Sequence, residues 1–269
     1  MTLALLAALV GMLGYGIASV LQATGAARAS GPAVLRHPAY VAGLALDGVA
    51  WLASLVAVRH LPLFVVQSLL AGSLGVTVLL ARFFLGARLR RRDAWAVAVV
   101  GVALATVAGA AGDQSARLAP AGFTVAALGA LLLTGLVTVA LYRRGGSLPL
   151  ATASGIAFSG AALCARALPN GGWRALATEP LAWAVVGFGV LGAIGYARSL
   201  ERGAVGPATA VLWAMEVLVP GVIGVVVLND AIRPGWALPA LLAVAAVVAA
   251  CTVLATTPPS RAPEAPRVR

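Results

Sequence analysis

The chain is expected to be an all-α, polytopic integral membrane protein with about nine transmembrane helices in two inverted-topology repeats, four helices in the first and five in the second. Three observations lead there. Of 269 residues, 61% are hydrophobic and 10% charged, with a mean hydropathy of +1.00, whereas a soluble domain of this size carries about 25% charged residues. The 31 glycines and abundant alanines suit helices packed closely in lipid, and the alternating segments of about ten residues that a β-barrel needs are missing. Finally, similar turns recur at an offset of about 142 residues.

A transmembrane helix takes about 20 mainly apolar residues. That length places spans at 2–25, 38–59, 62–86, 93–112, 119–142, 148–168, 179–199, 205–228 and 234–256. The first opens at Thr2 without a basic stretch before it, so it matches a secretory signal poorly despite the Ala-x-Ala-like triplets that follow. His37-Pro38 precedes the second span and Leu61-Pro62 the third. Arg143-Arg144-Gly145-Gly146 separates the fifth from the sixth, Pro169-Asn170-Gly171-Gly172 follows the sixth, and Arg233-Pro234-Gly235 opens the ninth. These connections are too short to hold a soluble domain. Residues 1–112 then form the first repeat and 113–256 the second, followed at 257–269 by a Pro- and Arg-rich cytoplasmic tail expected to be disordered.

The formal charge of +11 comes from 19 basic residues, all arginine. In a soluble protein that excess would suggest nucleic acid; here it reads as topology. Threading nine spans with the amino terminus outside puts 14 arginines on the cytoplasmic side (28, 36, 82, 88, 90, 91, 92, 143, 144, 198, 202, 261, 267 and 269) and five outside (59, 117, 166, 174 and 233). This follows the positive-inside rule. The expectation is a multi-pass protein of the plasma membrane with a cytoplasmic carboxyl terminus.

In the first half a helix closes with Phe84-Leu85-Gly86-Ala87-Arg88-Leu89 before Asp93 and Trp95; in the second, Val227-Leu228-Asn229-Asp230-Ala231-Ile232 precedes Pro234, Gly235 and Trp236. The two turns fall on opposite sides of the membrane in this topology. Inverted repeats are the common architecture of secondary transporters, with the substrate site near the midplane. Over 43–110 and 187–254 the chain resembles the drug/metabolite transporter superfamily, within it the branch of EamA-type carriers and NIPA-type magnesium transporters. The likeness runs from Ala57-Val58 to Leu85-Gly86-Ala87-Arg88 and from Ser199-Leu200 to Leu228-Asn229-Asp230. Ala87 stands where the family turn has glutamate, and the first half has four helices where a ten-helix member has five. The nine-span layout, and Asp47 ahead of Trp51 and Ala57, are similar to the NIPA-type branch.

Of eight acidic residues, Asp93, Asp113, Glu179, Glu201, Asp230 and Glu264 sit at span ends or in loops, while Asp47 and Glu216 fall mid-span. An ionised group there costs about 2.5–3.5 kcal/mol on insertion scales, so each needs compensation. Pro220 has no N–H for the carbonyl of Glu216, which leaves an oxygen free beside the carboxylate at this helix break. Thr209, Trp213, Glu216 and Pro220 share one helical face, as do Tyr40, Gly43, Asp47, Trp51 and Ser54. Gln67 and Thr77 on the third span, and Tyr15, Ser19 and Gln22 on the first, could add oxygens. With no basic residue at this depth, either acid could carry a proton in the empty protein and release it as a cation binds. Both acids could instead bond to a neighbouring helix, and Trp51 and Trp213 could serve in packing.

Gly187-Phe188-Gly189-Val190-Leu191-Gly192 has the spacing of a dinucleotide fingerprint, yet it lies inside an apolar span with no strand before it. Gly187, Gly189, Gly192 and Gly195 are better explained by close helix contacts. Cys164 and Cys251 lie in apolar runs and suggest neither disulfide nor metal. His37 and His60 sit at span ends, and Ser154 and Ser159 read as packing hydroxyls. No catalytic constellation and no cofactor are expected.

The functional expectation is a secondary transporter that moves a small organic or cationic solute by alternating access, with the mid-span carboxylates available for proton coupling. Asp47, Glu216, Trp51, Trp213, Gln67, Thr209 and Tyr15 would line its site. The alternatives are a magnesium or other divalent-cation transporter, with Asp47 and Glu216 as ligands, and a membrane scaffold that transports nothing. Expected partners are the lipid bilayer and the solute, with a homodimer as a further expectation and no nucleic acid.

Overall fold

A computed structural model describes residues 2–28, 36–84, 91–112, 120–169, 177–203 and 205–255. Ten helices follow one another: α1 (Thr2–Arg28), α2 (Pro38–His60), α3 (Leu63–Ala71), α4 (Ser73–Phe84), α5 (Arg91–Gly109), α6 (Phe123–Arg144), α7 (Ser147–Ala167), α8 (Pro180–Glu201), α9 (Val205–Val226) and α10 (Ala237–Ala255). Among the described residues, nine segments are long and apolar enough to cross a membrane, α3 and α4 together making one of them. The expected spans are thus present, with ends moved by a few residues. The third is interrupted at Gly72, whose N–H bonds to both Ser68 O and Leu69 O, and the chain passes there through a turn. A side chain at this glycine would sit 2.5 Å from Leu104 Cδ1, so its absence also lets α5 close in.

The outer surface decides the solvent. On α6, Val125 (76% exposed), Leu132 (66%) and Leu136 (62%) face outward, as do Trp95 and Val102 on α5 and Leu238, Leu241 and Leu242 on α10. A monomeric soluble protein does not expose apolar area on this scale, whereas a bilayer requires it. An open, largely apolar groove of about 500 Å³ between α5 and α10, lined by Trp95, Val99, Val102 and Leu242 among others, belongs to this surface.

Hydrogen bonds define the bundle's two ends. At one end Gly112 N–H donates to Ala231 O and Arg233 N–H to Ala110 O (3.0 Å each), forming an isolated antiparallel bridge between Ala111 and Ile232, and the Arg59 side chain donates to Pro169 O (3.0 Å). At the other, Arg202 donates to Gly145 O and Arg143 O, and Ser199 to Ser147 O. Among the described arginines, 28, 36, 82, 91, 92, 143, 144, 198 and 202 lie toward the Gly145 end, and only 59, 166 and 233 toward the His60 end. The former is called the arginine-rich face below.

Packing is local at the periphery and long-range at one place. Helix α1 lies against α2 and the third span, α7 against α8 and α9, and α5 against α10; α6 touches only α7 and α8. Helix α3 is buried at all nine positions and is packed by α1, α2, α5, α7, α9 and α10, while α4 buries only Ser73 and Gly75. The interior is therefore dense at the His60 end of the third span and loose at its other end.

Small residues set these distances. Gly155 on α7 sits so close to α9 that a Cβ there would lie 2.5 Å from Met215 Cβ and 2.9 Å from Leu212 O. The substitution Gly155→Ala is expected to lower stability by about 1–3 kcal/mol through overpacking, read from thermal unfolding in detergent. Gly101→Ala, whose added carbon meets open space, should leave stability unchanged or slightly raised, since alanine is the better helix former.

Candidate functional site

Pro220 is fully buried inside α9. Lacking an N–H, it leaves the Glu216 carbonyl without its usual intrahelical donor. The preceding carbonyl is held from outside: Ser159 Oγ reaches Met215 O (3.1 Å) as well as Gly155 O in its own helix (2.7 Å). The break expected at Pro220 is not formed: α9 continues through the proline as a helix and is braced on the α7 side at this level. Glu216 is partly buried, and its carboxylate has no hydrogen bond or ion pair with any described residue.

Two tyrosines bring the rest of the site into relation with it. Tyr15 on α1 pairs with Ser54 on α2 and lies within electrostatic reach of both Glu216 and Asp47. Tyr196 on α8 is within reach of Glu216, and its hydroxyl is 2.6 Å from Thr209 Oγ1 on α9. No Cα of α1 comes within 8 Å of a Cα of α9, so these helices do not pack directly. Asp47, about two turns before Ser54 on the same face of α2, is partly buried and accepts a hydrogen bond from Gln22 Nε2 (3.2 Å).

The remaining sequence candidates divide. Gln67 is 5% exposed and its amide bonds to no described residue. Its neighbour Phe64 lies against Gly221, and Leu63 against Gly224, so Gln67 sits about one helical turn deeper, toward the level of Glu216. Thr209 is engaged by Tyr196. Trp213 packs against the core, and Trp51 is 40% exposed on the stripe of Asp47 and Ser54. Thr77 and Ser19 spend their hydroxyls on backbone carbonyls of Ser73 and Tyr15. The glycine-rich run acts in packing at Gly187 (against Leu131), Gly192 (Phe158) and Gly195 (Ser154), whereas Gly189 meets open space. His37 accepts from Ala39 N–H as the cap of α2, and both cysteines are free and buried. Residues 85–90, half of the repeated turn motif, lie outside the described residues, as do Asp113 and Glu264.

Sequence reasoning placed Asp230 in a loop and gave it no role. Its side chain is fully buried: Oδ1 accepts from Arg166 Nε (3.2 Å) and Nη2 (3.1 Å), and Oδ2 from Leu63 N–H (2.6 Å). Arg166 Nη1 also donates to Arg59 O (3.0 Å). Pro62 cannot cap α3 with its own side chain, so a carboxylate from 167 residues away takes the position that a local Ser or Asp usually fills. Asn229, at φ 53, makes the left-handed turn that swings Asp230 back under α9, where Gly224 leaves room for it. No local spacing announces a contact between partners 64 and 167 residues apart. Asp93 is also buried, in the first turn of α5 beside Arg92 (3.5 Å), where the helix dipole favours an acid.

Among the described residues, no three His, Cys, Asp or Glu side chains group closely enough to hold a metal ion. The interior offers something else: an unpaired carboxylate at Glu216, a helix carbonyl lacking its donor, and Tyr15, which lies within electrostatic range of both Glu216 and Asp47. No protein-family model, curated protein or solved structure matches this chain.

Proposed function

We propose that the protein is a secondary transporter that binds a small organic or cationic solute at Glu216 and carries it by alternating access. The observation that carries this is the unpaired Glu216 carboxylate one turn before Pro220, with no basic side chain acting on it among the described residues. An acid at such depth with no structural partner is a functional group by default. Asp47 and the Tyr15 and Tyr196 hydroxyls complete the site, and Gln67 adds an amide.

Support for two inverted repeats comes from register and packing. Pro38 and Pro180 begin α2 and α8, 142 residues apart, and the third span Leu63–Phe84 matches α9, Val205–Val226, at the same offset. The α1, α2 and third-span cluster corresponds to the α7, α8 and α9 cluster, α5 pairs with α10, and α6 is the additional helix of the second half. The third span is interrupted at Gly72, whereas its counterpart α9 runs unbroken through Pro220. The drug/metabolite transporter superfamily is the family proposed on these grounds, with the arginine-rich face in the cytoplasm. A divalent cation is the second choice. Magnesium accepts neutral oxygens and retained water, but the site supplies two carboxylates rather than a cluster of three.

The test is uptake into vesicles reconstituted with the protein, using a panel of amines, quaternary ammonium ions and divalent metals while interior pH is followed. The combined variant Asp47→Asn/Glu216→Gln should fold with unchanged melting behaviour and lose flux. A scaffold would tolerate the pair of changes, and transport that persisted in the double variant would refute the assignment.

A further inference from the structure

We infer that the Arg166–Asp230 pair is a gate: it seals the proposed central site from the His60 end and must open for that site to face the opposite side. The inference rests on the transporter reading for its purpose, but the gate itself can be tested without any solute.

The geometry is that of a latch joining segments far apart in sequence. Asp230 comes from the α9–α10 connection, Arg166 from the end of α7, and the Leu63 N–H and Arg59 carbonyl from the α2–α3 turn. Arg59 returns the connection by donating to Pro169 O beyond α7. The same end holds the fully buried α3, which stands between the two clusters as a plug. Toward the arginine-rich face α1 and α4 stand apart from α7, α8 and α9: among the described residues no Cα of the first two lies within 8 Å of a Cα of the other three. The site is therefore closed at the latch and open toward the arginine-rich face.

An ion pair suits this use better than apolar packing does. A buried pair adds little net stability compared with well-packed apolar residues, because both ions are desolvated. When the latch parts, however, water solvates both partners, so the open form is accessible. Apolar side chains in the same place would gain nothing from exposure and would hold the end shut.

The experiment places a Ser54→Cys reporter in a Cys164→Ala/Cys251→Ala background and applies a charged, membrane-impermeant maleimide separately to each side of sealed vesicles. In the unaltered gate, labelling should come predominantly from the arginine-rich face. Arg166→Gln and Asp230→Asn, each leaving one buried ion without its partner, should raise labelling from the His60 side about tenfold or more. Arg166→Met/Asp230→Leu, which keeps the volume apolar and removes both ions together, should lower labelling from that side below the unaltered level, with folding checked by its melting temperature. If the single variants fail to fold, the apolar double variant still decides. Equal labelling from the His60 side with and without that double change would overturn the gate. With flux measured in proteins that keep Ser54, shifts in labelling without flux of any cation tested would keep the gate and overturn transport; intact flux with unshifted labelling would do the reverse.

Discussion

Glu216→Gln is expected to abolish concentrative cation uptake while leaving the fold intact. The carboxylate has no hydrogen bond or ion pair to lose, so the amide, nearly identical in shape, removes charge without removing a structural contact. For an acid that merely bonded to a neighbouring helix the result would differ, because loss of that bond would lower the melting temperature. Flux should fall by at least about two orders of magnitude, since the substituted site forfeits the full charge attraction in a low-dielectric setting. Solute-driven alkalinisation or acidification of the vesicle interior, if the unaltered carrier produces it, should vanish with the flux. Asp47→Asn should be milder, since Asp47 already shares its charge with the Gln22 amide.

The largest stability loss is expected elsewhere, at Arg166→Ala. Removing the guanidinium strands a carboxylate whose side chain is fully buried, and breaking a buried pair from one side costs about 3–5 kcal/mol. It also releases the Arg59 carbonyl and weakens the capping of α3. The loss should appear as a lower melting temperature in detergent and should hardly change between low and high salt, because buried charges are poorly screened. By comparison, Arg198→Ala should matter little: its ion pair with Glu201 is largely exposed, and such pairs contribute roughly 0–1 kcal/mol. Equal melting temperatures for the two variants would show that the pair with Asp230 does not hold the bundle together.

The spans were legible in the sequence because a bilayer imposes a length rule on each one separately: 38–59 and 205–228 were bounded by composition alone, and α2 and α9 lie within two residues of those limits. Glu216 and Pro220 were legible for the same reason, as the charge is costly at that depth and the proline acts on its own helix. What escaped was the contact between distant segments. Asp230 looked like an ordinary loop acid, since its partners Arg166 and Leu63 are joined to it only by the folded topology. The Gly72 interruption was likewise hidden within an unbroken apolar run, because a single glycine does not by itself break a helix. Trp51 and Trp213 stayed ambiguous, because stripe position cannot tell a ring that faces a gap from one that faces lipid or core. The structure places Trp213 against the core and leaves Trp51 partly exposed.

Glu216 is proposed to be the carboxyl group that receives the cation. Modification by an apolar carbodiimide, located by mass spectrometry, tests it most directly. Glu216 should be modified in the empty protein, with uptake lost in proportion, and an excess of the transported cation should protect it. Modification that proceeds equally with every cation of the panel, or that leaves uptake intact, would contradict the account.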